Sequence, residues 1–256
     1  MINKYLGILQ NASQHGSEVD NLFEYVHWFM LLLFVGWAAF FICALIRFRR
    51  SRNPQADYVG VTSKTSTYVE LGVVVVEAIL LLGFAFPLWA RRVNEFPLKE
   101  NATVVYAVAQ QFAWNFRYPG PDGILGKQDA NLVSANNPFG LDQGDPHGKD
   151  DIVTLNQMHV PVNKPVIVHI SSKDVVHSFA VRQMRVTQDA IPGMSIPFWF
   201  TPVRMGTYEI SCVQLCGIGH YQMRGFLTVD TPENYERWLK EQAAATESNG
   251  GSGSYE

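Results

Sequence analysis

The chain has 256 residues, of which 47% are hydrophobic and 17% charged, and its formal net charge is −3. A weakly acidic chain lacks the basic excess that nucleic-acid binding needs, and three cysteines cannot build a disulfide framework. The longest apolar runs lie near the beginning of the chain, which indicates a membrane-anchored protein.

Two apolar runs predict membrane-spanning helices, one over residues 23–48 and one over residues 68–90. Each exceeds the roughly 20 helical residues that cross a bilayer core about 30 Å thick. A cleaved signal should begin near the N-terminus with a basic end and a short apolar core, but residues 1–22 are mixed and polar. We therefore predict an N-terminal outer segment, 1–22, and a retained hairpin over residues 23–92. The alternative is a pair of buried helices in a large soluble core.

Basic residues orient this hairpin. The N-terminal tail carries only Lys4, whereas the connector between the runs is rich in Arg. Because cytoplasmic loops are enriched in basic residues, the connector is predicted to be cytoplasmic and both termini to lie outside. In a bacterium this is the periplasmic face of the plasma membrane. The basic residues of the connector are Arg47, Arg49, Arg50, Arg52 and Lys64.

Two carboxylates, Glu70 and Glu77, lie within the second apolar run. Acidic side chains are unfavourable in hydrocarbon and usually face protein or water, so each is a functional candidate. For Glu70 the alternative is a solvated charge at the start of a helix. Glu77 is predicted to contact a partner subunit.

From Asn101 onward the sequence changes to short β-branched or alternating runs separated by Pro, Gly and Asn, and residues 93–230 are predicted to form one domain. Six such runs predict an antiparallel sandwich or barrel, which can hold a loop-built metal site between strand ends. Within it, residues 119–151 are rich in Gly, Asp and Asn and are predicted to be a poorly structured, solvated insertion. A helix is predicted over residues 231–245, with Pro at its first position, and residues 246–256 resemble a flexible linker.

Near the end of the β region, one loop contains Cys212, Cys216, His220 and Met223. Thiolate and thioether are soft donors and imidazole is borderline, so this set favours copper over magnesium or calcium. His177, in the upstream segment SSKDVVHSFAV, is the predicted second imidazole ligand. Two cysteines four residues apart on a tight loop can both point inward and be shared by two metal ions.

Zinc is the main alternative for two cysteines and two histidines. Structural zinc sites commonly pair ligands on knuckles such as Cys-x2-Cys. A thioether is not a usual zinc ligand, so a zinc site would not explain Met223 three residues after His220. Two core cysteines brought together by chance would not explain the accompanying His and Met. We therefore predict copper. The other histidines outside the first helix are predicted to be ordinary surface or core residues: His15, His147, His159 and His169.

These motifs resemble subunit II of the haem-copper oxidases that carry the dinuclear copper centre CuA. The family pattern Cys-x-Glu-x-Cys-x3-His-x2-Met corresponds to residues 212–223, and its Asp-x2-His-Ser and Asp-Ala-x-Pro-Gly motifs to residues 174–178 and 189–193. With the hairpin and the stretch QQFAWNFRYPGPDG, the resemblance spans most of residues 20–240. It implies a two-helix transmembrane hairpin followed by an all-β, cupredoxin-like sandwich or barrel with a C-terminal helix.

The resemblance also implies a role for each matching residue. Cys212 and Cys216 would bridge two copper ions. His177 and His220 would each bind one of the two, and Met223 would be a weak ligand to one. Three neighbouring apolar side chains are expected to tune the potential by limiting solvent access: Leu215, Ile218 and Phe226.

Two positions depart from the family. The backbone carbonyl of Gln214 would bind the other copper ion, but the family has Glu there, and its side chain helps to bind an interface magnesium ion. We do not expect Gln214 to bind that ion in the same way. In the family's Gln-Trp-x-Trp element, the first tryptophan is exposed to the electron donor. Here Phe112 replaces it and Trp114 retains the second, so altered electron uptake through these residues is predicted.

The implied function is that of the subunit at which electrons enter a respiratory terminal oxidase. CuA would accept electrons from cytochrome c or a similar carrier and pass them to haem in subunit I, where dioxygen reduction is coupled to proton pumping. Glu70 matches a family glutamate near the mouth of a proton channel formed mainly by subunit I. No catalytic residue is predicted in this chain.

Subunit I, further membrane subunits, the electron donor and membrane lipid are the predicted partners. Two alternative functions stay open. A small CuA-bearing subunit of a nitric oxide reductase would have the same site and a different acceptor. A structural subunit of a quinol oxidase would lack the copper ligands, which are present here.

Overall fold

The structure of the protein is a computed structural model that divides into two compact units. The helical unit comprises residues 5–8 and Glu18–Asn94, and the β unit comprises Leu9–Ser17 and the chain from Glu95 onward. The structure describes residues 5–55, 58–60, 62–142 and 144–248.

Long apolar helices dominate the helical unit. Helix α1 is Gly16–Arg47, and a second helical rod consists of α2 (Thr65–Ala78), a π-helical segment (Ile79–Ala85) and α3 (Phe86–Asn94). By length and composition both rods could cross a membrane, and their most apolar stretches are unburied within the chain. Both are longer than the predicted runs, because helical structure continues into polar flanking residues that a hydrophobicity criterion leaves out.

The predicted N-terminal outer segment is not separate from the β unit. The backbone N–H of Ala12 donates a hydrogen bond to the carbonyl of Gln183, and the N–H of Val203 donates to the carbonyl of Ala12, both over 2.8 Å. The hydroxyl of Ser13 donates to the carbonyl of Met184, also over 2.8 Å. Sequence reasoning missed this attachment because the residues that hold the segment lie at least 170 positions further along the chain.

The described part of the β unit contains ten strands, which form two five-stranded sheets. The strands are β1 (Thr103–Gln110), β2 (Ala113–Tyr118), β3 (Ile152–Leu155), β4 (Gln157–Pro161), β5 (Val166–Ser172), β6 (His177–Val181), β7 (Val186–Ala190), β8 (Ile196–Phe200), β9 (Gly206–Cys212) and β10 (Arg224–Asp230). The first sheet has the order β3-β2-β1-β5-β8 and the second β4-β10-β9-β6-β7. The predicted all-β sandwich is confirmed.

The prediction that the scaffold is purely antiparallel is wrong. Strand β1 pairs with β5 in parallel, and β10 pairs with β4 in parallel. These strands are distant in sequence, and a parallel pair needs a long crossover connection that local alternation cannot reveal. Strands β2, β4, β7 and β8 were not predicted. In β2, five consecutive residues from Trp114 to Tyr118 are buried, so the period-2 pattern is lost.

One continuous hydrophobic core lies within the β unit. Alternation along β1 buries Val105, Ala107 and Ala109 on one side of the first sheet. Leu227 and Val229 of β10 contribute to the same core from the second sheet. This core fixes the strand ends from which the cysteine loop and its upstream histidine project.

The insertion after β2 is ordered by hydrogen bonds, so the prediction of a poorly structured segment is wrong. Arg117 donates from Nε to Asp151 Oδ2 over 3.0 Å and from Nη2 to the carbonyl of Gly126 over 2.7 Å. The Arg117 and Asp151 side chains are both fully buried. Asp129 and Asp145 each cap a short 3-10 turn by accepting a backbone N–H. The acidic residues therefore hold turns together instead of forming only a solvated face.

The C-terminal helix, α4, extends over Pro232–Ser248. Thr231 caps it, because its hydroxyl oxygen accepts the N–H of Asn234 over 3.2 Å. The indole of Trp238 stacks on the ring of His159 at a centroid distance of 4.2 Å and so attaches the helix to β4. The predicted helix is confirmed, with three more residues at its end. Residues 249–256 of the predicted tail lie outside the described residues.

Candidate metal centre

The loop that follows β9 brings the two cysteines together at one end of the sandwich. The Sγ atoms of Cys212 and Cys216 lie 3.8 Å apart, and both side chains are buried. Gly217 has a φ of +136°, which favours glycine and lets the chain turn away directly after the second cysteine. The local backbone geometry of the loop therefore places two thiols, four residues apart in sequence, next to each other.

Each thiol faces its own imidazole. The Sγ atom of Cys212 lies 3.9 Å from Nδ1 of His177, and the Sγ atom of Cys216 lies 3.6 Å from Nδ1 of His220. His177 comes from the start of β6, which pairs with β9, whereas His220 belongs to the loop itself. Sheet pairing thus supplies one imidazole and the loop supplies the other.

Two weaker donors complete the cluster, one beside each thiol. The Sδ atom of Met223 lies 3.8 Å from Sγ of Cys216. The backbone carbonyl oxygen of Gln214 lies 3.2 Å from Sγ of Cys212. All six predicted ligand positions therefore converge on one place. Five of the six donors are soft or borderline, only the carbonyl oxygen of Gln214 is hard, and no carboxylate is among them, so the set fits copper.

The orientation of His177 is set by Asp174, three residues before it. Nε2 of His177 lies 2.8 Å from Oδ1 of Asp174, so the ring donates there and presents Nδ1 to Cys212. The other carboxylate oxygen accepts the backbone N–H of Gln111 over 2.7 Å. Burial acts to raise the pKa of Asp174, but these hydrogen bonds hold it below its usual value. A carboxylate on the distal nitrogen of a ligating histidine is a common way to fix its tautomer.

The electrostatic environment of Cys216 favours the protonated thiol when no metal is bound. Burial, together with the neighbouring Cys212 thiol, raises the pKa of Cys216 to about 11. A metal ion that binds there must therefore displace a proton, which couples metal affinity to pH.

Two aromatic side chains cover the cluster, Phe112 from the β1–β2 turn and Trp114 from the start of β2. A Cβ atom added to Gly219 would lie 2.5 Å from Cδ2 of Phe112, so the Phe112 ring packs directly on the cysteine loop. Trp114 is fully buried and meets the ring of His177 edge-on at a centroid distance of 6.2 Å. The predicted pair for electron uptake thus lies beside the ligands, with Phe112 partly exposed.

The three apolar residues expected to limit solvent access do not do so within this chain. Leu215 is 78% exposed, Ile218 is 92% exposed and Phe226 is 42% exposed. Leu215 and Ile218 lie on the outer side of the cysteine loop, and Phe226 lies on the outward face of β10, where burial alternates along the strand. Phe112 and Trp114 shield the cluster instead.

Sequence reasoning missed the roles of Asp174, Gln111 and Gly219. Asp174 could have been found, since an acidic residue three positions before a ligating histidine can reach its ring. Gln111 and Gly219 gave no such signal, because their partners lie far away in sequence: the Gln111 side chain donates to the carbonyl of Cys216 over 2.6 Å. Glu70 lies near the start of α2, in the helical unit, and its side chain is exposed.

Comparison with known proteins agrees with this geometry. Residues 103–229 match the family model described as cytochrome C oxidase subunit II, periplasmic domain. An alternative cytochrome c oxidase subunit 2 from Bradyrhizobium diazoefficiens is 37% identical over 226 residues, which cover 88% of this chain and 80% of that protein. This chain belongs to the cytochrome c oxidase subunit II family.

Other subunit II proteins are more distant. Cytochrome c oxidase subunit 2 from Cereibacter sphaeroides is 26% identical over 243 residues, covering 86% of this chain and 77% of that one. A crystal structure of the periplasmic domain of subunit II from Bradyrhizobium japonicum is 25% identical. It covers 56% of this chain and 95% of that one, with a TM-score of 0.42.

Membership of the subunit II family confirms the resemblance seen in the sequence. The chain is a component of a haem-copper oxidase, an oxidoreductase complex, and associates there with subunit I and other subunits. It is a membrane protein with two candidate spans, and its subunit II domain lies on the outer face. The His, Cys, Cys cluster is a possible copper site within that domain.

Proposed function

We propose that this subunit is the point at which electrons enter the oxidase. In this proposal a dinuclear copper centre, CuA, accepts electrons from cytochrome c or a similar carrier, and they pass to haem in subunit I for dioxygen reduction coupled to proton pumping. The observation that carries it is a pair of thiols 3.8 Å apart, each with its own imidazole within 3.9 Å. Because each thiol also has its own weak donor beside it, the donors divide into two sets around a shared thiol pair, which suits two metal ions better than one.

The ligands would be shared as their positions suggest. Cys212 and Cys216 would bridge, His177 and His220 would each bind one copper ion, and Met223 would be a weak ligand. The backbone carbonyl of Gln214 would be the weak ligand on the Cys212 side. When bound, such a centre supplies reversible one-electron transfer, because bridging thiolates spread one electron over both ions.

The chain itself fixes the donors and keeps water from them. Asp174 holds the ring of His177 in one orientation, and Cys212, Cys216 and Met223 are all buried. Donors that are held in place before the metal binds need little rearrangement when its charge changes. Relatives named cytochrome c oxidase favour this reading over a nitric oxide reductase or a quinol oxidase.

The copper assignment is tested by electron paramagnetic resonance on the full chain after copper loading. A mixed-valence signal from one electron shared by two copper ions is expected, and Cys216→Ser should abolish it. The control is Cys43→Ser, since Cys43 lies in α1 and is absent from the cluster. A single-copper spectrum, or preferential binding of zinc, would defeat the assignment.

Electron uptake is proposed to pass over Phe112 and Trp114. Phe112 is the partly exposed member and packs on the cysteine loop, whereas Trp114 is buried beside His177. Phe112→Ala should slow donor-driven reduction of the copper centre without changing its spectrum. Phe96→Ala, at another partly exposed aromatic position, is the control. An unchanged rate in Phe112→Ala would remove Phe112 from the path.

Two further roles are proposed for positions outside the copper ligands. Glu70 would lie at the mouth of a proton channel formed mainly by subunit I, so Glu70→Gln should slow proton uptake by the assembled oxidase. Glu241→Gln, at an exposed carboxylate of α4, is the control. Gln214 would weaken the interface magnesium site, so Gln214→Glu should increase Mn²⁺ binding by the complex. No change in either measurement would reject the corresponding role.

The proposed location is the bacterial plasma membrane. The two spans would cross it with the Arg-rich connector in the cytoplasm, and the two termini and the copper domain would face the periplasm. Protease accessibility in right-side-out vesicles tests this orientation. Cleavage of the outer domain without cleavage of the connector is the expected result.

A further inference from the structure

A cavity of about 470 Å³ lies on the outer face of the first sheet, away from the core side. Strands β1 and β5 form its floor, and the insertion after β2 and the segment that follows β7 form its walls. This volume is within the range of about 300–1,000 Å³ that small-molecule sites occupy. None of the proposed copper ligands lines it, so an occupant would be independent of the metal.

The floor contains a histidine with an unsatisfied ring nitrogen. His169 of β5 is paired in register with Tyr106 of β1, and their rings stack at a centroid distance of 4.9 Å. In the part of the chain that the structure describes, the buried Nε2 atom of His169 has no hydrogen-bond partner. Burial lowers the pKa of His169, and the charge of Lys99 adds to this, so the ring is neutral at pH 7. Buried polar groups are normally paired. His169 lines the cavity, but its Nε2 atom has almost no accessible surface, so an occupant that bonds to this atom requires a small rotation of the ring.

A lysine lies on the same face of the same strand. Residues 169, 171 and 173 alternate to one side, and the backbone N–H of Lys173 continues the pairing with β1 by donating to Ala109. The Lys173 ammonium donates to the carbonyl of Ser134 over 2.8 Å and to Oε1 of Gln110 over 3.3 Å. Among the described residues, no carboxylate lies within ion-pair distance of it and none lines the cavity. Its charge is therefore not neutralised.

The lining between these two polar groups is largely apolar, although Gln128, Ser171 and Ser195 also line the cavity. Val133 and Phe139 from the insertion and Met194 from the segment after β7 line the cavity. Four residues of extended strand separate His169 from Lys173, which corresponds to about 13 Å. An occupant that satisfies both ends needs an anionic group, a flat apolar body and a second polar group at its far end.

We propose that this cavity binds a small aromatic carboxylate that carries a hydroxyl group opposite the carboxylate. The carboxylate pairs with Lys173, the ring packs against Phe139, and the hydroxyl bonds to Nε2 of His169. The insertion after β2 is then the wall of a ligand site, which gives a reason for its ordered turns and for the buried Arg117–Asp151 pair that holds it.

The test uses two fluorinated probes and the full chain in detergent. Binding of 3-fluoro-4-hydroxyphenylacetate and of 3-fluorophenylacetate, which lacks the hydroxyl group, is followed by ¹⁹F NMR. One saturable site is expected for each, with the hydroxylated probe bound more tightly. The absence of saturable binding by either probe would overturn the proposal.

Four variants and one control separate the contributions of the lysine, the histidine and the cavity walls. Lys173→Met should weaken both probes by about fivefold or more. His169→Phe, which retains a ring over Tyr106, should remove the advantage of the hydroxylated probe and leave the other within about twofold. Val133→Trp and Ala130→Trp, both at exposed positions that line the cavity, should each fill the cavity and abolish binding. Lys240→Met, at an exposed lysine of α4, should change nothing.

Specific outcomes reject the site. If either tryptophan variant keeps its thermal unfolding transition and still binds both probes, the cavity is not where they bind. If the hydroxylated probe keeps its advantage in His169→Phe, the imidazole is not its partner. If Lys240→Met weakens binding as much as Lys173→Met, the attraction is unspecific. No readout involves copper, so failure here leaves the proposed electron-transfer function untouched.

Discussion

Nε2 of His177 lies 2.8 Å from a carboxylate oxygen of Asp174, and the imidazole side chain is completely buried. The carboxylate in turn accepts the backbone N–H of Gln111. This chain of hydrogen bonds ties the β1–β2 turn, which carries Phe112, to the orientation of a proposed copper ligand.

Replacement of Asp174 by Asn should weaken copper binding. The amide oxygen can still accept a hydrogen bond, but the lost charge makes the imidazole a poorer donor to the metal. Such changes commonly lower metal affinity by about tenfold or more. Competition with a copper chelator on the full chain measures it. Glu236→Gln, at an exposed carboxylate of α4, is the matched control and should have no effect; equal affinities for the two variants would contradict the prediction.

Gly219→Ala should disturb the cysteine loop. The added Cβ would meet several ring atoms of Phe112 at 2.5–2.8 Å, which is closer than real Cβ contacts. The expected result is a changed copper spectrum and a lower unfolding temperature, because ring or loop must move. Phe112→Ala in the same chain should restore both. Gly36→Ala in α1, where an added Cβ meets nothing within 4 Å, is the control. A normal spectrum for Gly219→Ala would show that the ring moves freely.

Arg117→Met should destabilise the β unit, because it leaves the carboxylate of Asp151 buried without its ion-pair partner. Breaking one side of a buried pair commonly reduces the free energy of unfolding by about 3–5 kcal/mol. Burial raises the pKa of Asp151 and Arg117 opposes that rise, so the loss should be smaller at acidic pH, where the carboxyl is protonated.

Thermal and denaturant unfolding of the full chain, followed by circular dichroism, measure this loss. The double variant Arg117→Met, Asp151→Leu should recover much of the stability, because no unpaired charge remains. Arg237→Met removes an exposed arginine and serves as the control. If the single and double variants were equally unstable, the ion pair would not be the cause.

His147 should titrate above the usual histidine value of 6.5. Its Nδ1 lies 2.6 Å from Oδ2 of Asp122, and this hydrogen bond raises the pKa of His147 and lowers that of Asp122. Because the folded-state pKa of His147 is raised, its contribution to stability is complete below about pH 6.5 and is lost as pH rises through the folded-state value.

Histidine ring resonances in NMR spectra test this titration. Asp122→Asn should return the pKa of His147 toward its usual value, and the same spectra should show His169 titrating below its usual value. Asp189→Asn, in β7, is the control. The prediction is wrong if Asp122→Asn leaves the titration of His147 unchanged.

Local sequence signals were sufficient where neighbouring residues act together. The apolar runs predicted both helical rods, and Thr231 with Pro232 predicted the start of α4. The spacing of Cys212, Cys216, His220 and Met223 placed four donors on one loop, and a short loop leaves few ways to arrange them. A donor set that lies within about a dozen consecutive residues could therefore be predicted from the sequence.

Long-range contacts could not be predicted in this way. The parallel pairing of β1 with β5, the attachment of Ala12 to Val203 and the burial of Arg117 against Asp151 join residues that no local pattern links. The exposure of Leu215 and Ile218 was predicted incorrectly because apolar character alone does not say which side of a loop a residue occupies.

The sequence by itself determined the donor atoms, the two apolar spans and the all-β character of the outer domain, since these depend on residue type and short-range order. Only the tertiary structure decided that His177 meets Cys212, that Asp174 sets its ring orientation and that the insertion encloses a cavity over His169. The physical reason is that hydrogen bonding and packing act between atoms brought close by the fold, whatever their separation along the chain.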